Sequence, residues 1–223
     1  MIVFFTQDKL DQDGWPVRDR ASSSYIATFE PAAAFARLVR AEGIRRGADH
    51  VRQLTVIGDG AAWIWNLAAA TFPEATCIAD LYHAREPLHS LTRSPEFMLG
   101  DRKDERLAAR LADLDYGYID GIAARRPHLP LEGVKKDEAD RELGYFLTNA
   151  PRMRYHCFRS RGLFTGSSVL EAASKAVIGQ RLKQAGMPWT VNGADSIITL
   201  RCAQARSQRE AICSNRHNQT GAA

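Results

Sequence analysis

The sequence predicts an α/β fold with a largely parallel core. Two observations carry that expectation. Short apolar runs alternate with helical patterns in the first part of the chain. Two of those runs, residues 54–57 and 75–79, are followed closely by an aspartate, Asp59 and Asp80, where a buried parallel strand would reach its carboxyl end.

Residues 1–5 (MIVFF) read as a strand, and residues 25–29 (YIATF) as the next. Between them, residues 11–24 are rich in Asp, Gly, Pro and Ser, which predicts a loop. Pro31 suits the first turn of a helix in which Phe35, Leu38, Val39 and Glu42 fall at helical spacing, ending near Gly47. Residues 54–57 form a buried strand closed by Gly58-Asp59-Gly60. A helix covers 61–70, Phe72-Pro73 ends it, and residues 75–79 return as a strand before a helix that starts near Leu81. Residues 94–149 have mixed charge, few β-branched residues and a Pro-rich break at 126–130, the pattern of a helical insertion. A helix is expected over 166–184, with Val169, Ala173, Val177 and Ile178 as its apolar stripe, and another over 193–205. The tail from Ser207 onward has the composition of a disordered segment.

The bulk properties narrow the function classes. The chain has 223 residues with a formal net charge of +4 and a pI near 9.0. That balance is compatible with a polyanionic partner without requiring one. The four cysteines, Cys77, Cys157, Cys202 and Cys213, include no C-x-x-C pair, so zinc ribbons and dithiol redox motifs are not indicated. Scattered cysteines suit a reducing cytoplasm. The apolar start has no basic leader region and is too short to span a bilayer, as is every later apolar run. Gly58-Asp59-Gly60 opens like a dinucleotide loop, but Trp63 stands where the last glycine is needed, and no P-loop occurs. Trp63 and Trp65 are expected in the core.

Each candidate for chemistry has a plain alternative. Asp59 could approach a metal ion outside the carboxyl end of its strand, or cap the following helix. Asp80 and His83 would share one face of a starting helical turn, or serve as a cap and an interfacial histidine. Glu171 could be catalytic, could complete an S-x-x-E capping box with Ser168, or could pair with Lys175. The arginines Arg152, Arg154, Arg159 and Arg161, interleaved with Tyr155, His156 and Phe158, suit phosphate contacts and base stacking, or a solvated basic edge. Arg181 and Lys183 extend that basic surface.

Three ordered blocks resemble the Kra-type insertion-sequence transposases. One is Val56-Ile57-Gly58-Asp59-Gly60-Ala61-Ala62-Trp63-Ile64-Trp65-Asn66-Leu67 with the following Phe72-Pro73. The next is Ile78-Ala79-Asp80-Leu81-Tyr82-His83-Ala84-Arg85. The last is Gly166-Ser167-Ser168-Val169-Leu170-Glu171-Ala172-Ala173-Ser174-Lys175, continued by Val177-Ile178-Gly179-Gln180-Arg181-Leu182-Lys183. Family members typically carry Gly-Ser-Gly-Val where this chain has Gly-Ser-Ser-Val. The Arg201-Cys202 ending and the tail His217-Asn218-Gln219-Thr220 also fit, so the resemblance covers nearly the whole chain.

The resemblance implies a DDE-type transposase related to the Mutator-like group. Its fold would be an RNase H-like mixed sheet flanked by helices, lacking its first strand and carrying a helical insertion. Residues 1–93 would be the first part of the catalytic core, 94–150 the insertion, 151–206 the last part of the core with the Glu-bearing helix, and 207–223 a tail. Asp59 would be the second acid and Glu171 the third, both metal ligands, with Asp80 and His83 as the acid-x-x-His pair. The first acid, in an Asp-Gly pair on the first strand, would lie ahead of Val3-Phe4-Phe5-Thr6-Gln7, outside this chain, as would a DNA-binding region. Three acids are needed because two Mg²⁺ or Mn²⁺ ions about 3.5–4 Å apart clamp the attacking and leaving oxygens of an in-line phosphoryl displacement. Water would free a 3′-hydroxyl at the element end, and that hydroxyl would attack target DNA. The expected partners are element-end and target DNA, met in the cytoplasm at the nucleoid, with a homo-oligomer in the full-length family and no membrane. Without the first acid the chain is expected to be inactive by itself. Further readings are an RNase H-like nuclease or resolvase, a non-catalytic DNA-binding remnant, and a decayed reading frame.

Overall fold

A computed structural model describes residues 1–19, 21–93, 103–124, 134–179, 182 and 189–205. The fold is mixed α/β, built from helices and small sheets, and it divides into two compact units. The expected break at 126–130 and the tail from Ser207 lie outside the described residues.

The first unit comprises Met1–Asp11, Pro16–Arg52 and Ser168–Ala223. Strand β1 (Ile2–Phe4) pairs antiparallel with β4 (Ser24–Ile26), in the register Ile2↔Ile26 and Phe4↔Ser24. Strand β2 (Gln7–Leu10) pairs antiparallel with β3 (Pro16–Arg18), and its register shifts between Gln7 and Lys9. Composition predicts a loop over residues 11–24. Pro16-Val17-Arg18 is a strand all the same, because proline is tolerated as the first residue of an edge strand.

Helix α1 (Ala32–Arg45) buries Phe35 and Val39, and Gly47 takes a left-handed φ of 71° just beyond it. Glu42, also buried on α1, accepts hydrogen bonds from the Ser24 hydroxyl and from both Arg45 Nε (2.8 Å) and Nη2 (2.6 Å). A buried carboxylate without those partners would be strongly destabilising. Helix α8 (Ser168–Ser174) gives way to a single π turn at Lys175–Gly179, so the run expected to be one regular helix widens after its second turn. Helix α9 (Val191–Ala205) supplies Ile198 and Cys202 to a core with Ala27 and Val177. Asp195 ties α9 to the end of β4 by accepting from Thr28 Oγ1 and the Phe29 N–H, each at 2.8 Å.

The second unit comprises Gln12–Trp15 and Gln53–Ser167. Its sheet is the parallel pair β5 (Thr55–Gly58) and β6 (Thr76–Ala79), in the register Thr55↔Thr76 to Gly58↔Ala79. Parallel pairing is confined to these strands among the described residues. Helix α2 (Ala62–Thr71) connects them, and α3 (Leu81–Arg93) follows β6. Helices α4 (Lys103–Tyr116), α5 (Ile119–Ala124), α6 (Val134–Asn149) and α7 (Tyr155–Ser160) complete the unit. The stretch expected as a helical insertion shares the core of the strands: Leu114, Ile119, Ile122, Leu143 and Phe146 pack in one cluster with Trp65, Ile78, Ala84 and Leu88. Trp65 is buried as expected, but Trp63 is 51% exposed, because it lies on the opposite side of α2.

Candidate functional site at the carboxyl ends of the parallel strands

Because β5 and β6 end in register at Gly58 and Ala79, Asp59 and Asp80 occupy the next positions side by side. The Asp80 N–H donates to the Gly58 carbonyl at 2.7 Å and closes the pair. The two carboxylates then diverge in environment.

Asp59 is exposed. Its Oδ1 accepts the Ala61 N–H at 3.0 Å in a tight local turn, and Oδ2 has no hydrogen-bond partner among the described residues. It does not cap α2, whose cap position is Ala61. The glycines on either side are required by space. A Cβ on Gly58 would stand 2.9 Å from Ile64 Cγ2. One on Gly60, where φ is +99°, would collide with the Tyr145 ring and stand 3.1 Å from Asn149 Nδ2.

Asp80 is 2% exposed, and both of its oxygens accept hydrogen bonds. Its Oδ1 accepts the N–H groups of Tyr82 (2.7 Å) and His83 (3.0 Å), so it is the N-cap of α3. Its Oδ2 accepts the Ser167 N–H at 2.6 Å and ties down a segment distant in sequence. The cap alternative therefore describes Asp80 well. His83 is half-exposed, with Nδ1 3.5 Å from Glu86 Oε2 and its ring edge-on to Tyr145 at 6.3 Å.

Helix α6 roofs this corner with two residues that sequence reasoning missed. The Tyr145 hydroxyl donates to the Asp59 carbonyl at 3.1 Å. Asn149 is buried; its amide nitrogen donates to the carbonyls of Gly60 (3.3 Å) and Tyr145 (3.0 Å), and its oxygen accepts Trp65 Nε1–H at 2.9 Å. The signal available was their i, i+4 spacing, which puts both on one helix face. Burial, and then the charges of Asp59, Asp80, Glu86 and Glu142, push the Tyr145 hydroxyl well above the ordinary tyrosine value. Burial does the same to Tyr155.

Gly60→Ala should destabilise the unit by roughly 2–3 kcal/mol, combining backbone strain with a collision against a buried ring, read by denaturant unfolding. A pH dependence is expected as well. Both tyrosines have raised folded-state values, so the native state keeps its protons after the unfolded chain has lost them. Stability should therefore fall as pH rises above about 10, the unfolded tyrosine value. Tyr145→Phe should flatten that fall, measured by unfolding at neutral and alkaline pH.

Glu171 belongs to the first unit, exposed in the first turn of α8. Among the described residues, no group of three or more His, Cys, Asp or Glu side chains could hold a metal ion.

The arginines do not form one patch. Arg152 lies over the Trp65 ring, its Cζ 4.9 Å from the centroid. Arg154 is exposed, without a hydrogen-bond or ion-pair partner among the described residues. Arg159 is half-buried over Trp15 at 6.0 Å. Arg161 donates to Gln53 Oε1 at 2.6 Å, beside Thr76, so it stands at the amino ends of β5 and β6, away from Asp59. Tyr155 and Phe158, between these arginines, are buried core residues. Arg181 and Lys183 lie outside the described residues.

Comparison with known protein families, curated proteins and solved structures finds no match for this chain. No helix among the described residues is long and apolar enough to cross a membrane.

Proposed function

We propose that this chain is part of a DDE-type insertion-sequence transposase, with an RNase H-like core that cuts and joins DNA. The observation that carries the reading is Asp59: an exposed carboxylate with an unused oxygen, held between two obligatory glycines at the end of a parallel strand pair. Asp59 and Glu171 are carboxylates of the donor type that Mg²⁺ and Mn²⁺ prefer, and they are the ligands this reading assigns. Held by carboxylates of this kind, the ions would neutralise charge on the phosphoryl group and lower the pKa of an attacking water. Both oxygens of Asp80 are buried and already accept backbone N–H groups, so its role in this reading is to hold the start of α3, and with it His83.

The open strand edges also favour this reading. β5 has β6 as its one strand partner and β1 has β4, among the described residues, and the apolar Val56, Ile57, Ile2 and Val3 are only half-buried. Parallel strands are ordinarily covered on both faces, and an exposed apolar strand edge is a template for a further strand. In this reading the open edge of β5 is where an RNase H-like sheet would receive a further strand bearing the first acid.

The test is to fuse, ahead of Met1, a segment carrying that strand and its Asp-Gly. The fusion should unfold more cooperatively and nick element-end DNA with Mg²⁺ or Mn²⁺. Asp59→Ala and Glu171→Gln should each abolish nicking. Nicking by the unfused chain that survives Asp59→Ala sinks the assignment. In the same reading the protein works as an oligomer at the nucleoid, and Arg152, Arg154, Arg159, Arg161, Arg181 and Lys183 contact DNA phosphates. Reversing the charge of any two should lower the salt slope of duplex binding by about 0.9 for each phosphate no longer neutralised. An unchanged slope would remove the arginines from the interface.

A further inference from the structure

We propose that Tyr118, Tyr116 and His156 form a stacking platform for the unpaired bases of single-stranded nucleic acid, with Arg154 as its phosphate contact. The rings are brought together by a helix end. Helix α4 stops at Tyr116, and Gly117 takes a left-handed φ of 90°. The Gly117 N–H donates to the Leu114 carbonyl (2.8 Å) and the Tyr118 N–H to the Asp113 carbonyl (2.8 Å), the bond pattern of a Schellman stop. The reversal places the rings of Tyr116 and Tyr118 face to face, 4.5 Å between centroids and 29° between planes. His156, on the neighbouring α7, stacks on Tyr116 at 4.5 Å and 22°.

Tyr116 is 47% and Tyr118 57% exposed, and His156 is exposed as well. Tyrosines that serve only the core bury their rings, as Tyr155 does beside them. Here Tyr116 packs against both neighbours, which leaves the outer faces of Tyr118 and His156 for a ligand. A flat, water-exposed face suits a flat partner, and a base offers its face only when unpaired.

The charge nearby fits a strand rather than a free base. Tyr118 and Arg154 line one open cavity of about 550 Å³ together with Asp113, Asp120, Ala150 and Pro151. Asp113 is neutralised by Arg110 at 3.0 Å, whereas the Arg154 guanidinium has no partner among the described residues. A base laid on Tyr118 would find a free cation for its phosphate in the same cavity. Exposed Asp120 stands on the rim as an acceptor for base N–H groups. Duplex DNA can satisfy Arg154 but not the ring faces.

Stacking on these rings needs no metal, so binding is measured in EDTA, separately from the Asp59 assignment. Fluorescence anisotropy of the full chain would compare a labelled oligothymidine of roughly a dozen nucleotides with a duplex. Tyr118→Leu keeps apolar bulk but removes the ring, and should weaken the single strand about tenfold, at the lower end of the loss of one base stack. It should leave duplex affinity unchanged. Tyr118→Phe should bind normally. Arg154→Gln should lower the single-strand salt slope by about 0.7. His156→Ser tests the opposite face of the stack and should also weaken the single strand. Equal loss on strand and duplex in Tyr118→Leu, unchanged affinity in both Tyr118→Leu and His156→Ser, or thymidine monophosphate competing as well as the oligomer, would each overturn the proposal.

Discussion

Asp80→Ala is expected to cost about 4 kcal/mol of stability, the sum of a lost N-cap and a lost hydrogen bond to a buried carboxylate. The mutation orphans the N–H groups of Tyr82, His83 and Ser167 together. Two of these open α3, whose Ala84 and Leu88 are fully buried in the core of the second unit. The third holds the approach to Ser167, reinforced by the Leu81 N–H donating to the Thr165 carbonyl at 2.9 Å. A loss of that size should lower Tm by roughly 15 °C for a unit of this length. Asp80→Asn keeps one acceptor oxygen and should recover about half of the loss. Thermal unfolding of the three proteins decides the matter, with Mg²⁺ present and absent. A wild-type Tm that rises with Mg²⁺, and a rise that Asp80→Ala removes, would make Asp80 a ligand and contradict its role as a cap.

Gly117→Ala is expected to cost about 3–4 kcal/mol, from backbone strain and overpacking together. A Cβ at Gly117 would stand 2.5 Å from the Met153 carbonyl oxygen and 3.1 Å from Arg154 Cα. Both are backbone atoms of the segment entering α7, so no rotamer change relieves the clash. The φ of 90° is itself unfavourable for a residue with a side chain. The same substitution should separate α4 from α7 and with them Tyr116 from His156, so single-strand binding and stability should fall together. Urea unfolding measures the first effect and anisotropy the second. A Gly117→Ala protein within about 1 kcal/mol of wild type, the spread of ordinary substitutions, would show that the two segments do not meet as described.

The contrast between Asp59 and Asp80 shows where sequence reading stops. Both end short apolar runs, and each admits a chemical role, Asp59 as a metal ligand and Asp80 as half of an acid-x-x-His pair, beside the plain alternative of a helix cap. Local pattern suffices to place them at strand ends, because the runs and the glycines around Asp59 are local. It cannot tell them apart. Their difference arises from Ser167, which reaches Asp80 from a distant segment, and from α6, which covers the Asp59 turn through Tyr145 and Asn149. The arginine-rich segment is legible as basic and aromatic. That Tyr155 and Phe158 face the core while Arg154 and His156 face outward depends on a short helix packed on α4. Gly117, between two tyrosines, carries a readable stop signal, but the ring stack it creates needs α7 alongside.

By itself the sequence determined the alternation of strands and helices from α1 through α3, the two acids at the carboxyl ends of β5 and β6, and the basic balance of the chain, but not the β2–β3 hairpin. These follow from periodicity, glycine and charge, all of which act over a few residues. Tertiary structure alone decided that Asp80 is buried with both oxygens engaged while Asp59 keeps an oxygen free. It alone placed Arg161 at the far end of the strands from Asp59, and it alone assembled three aromatic rings beside Arg154. Each of these outcomes joins segments distant in the chain, and the geometry of such meetings is set by how the core packs.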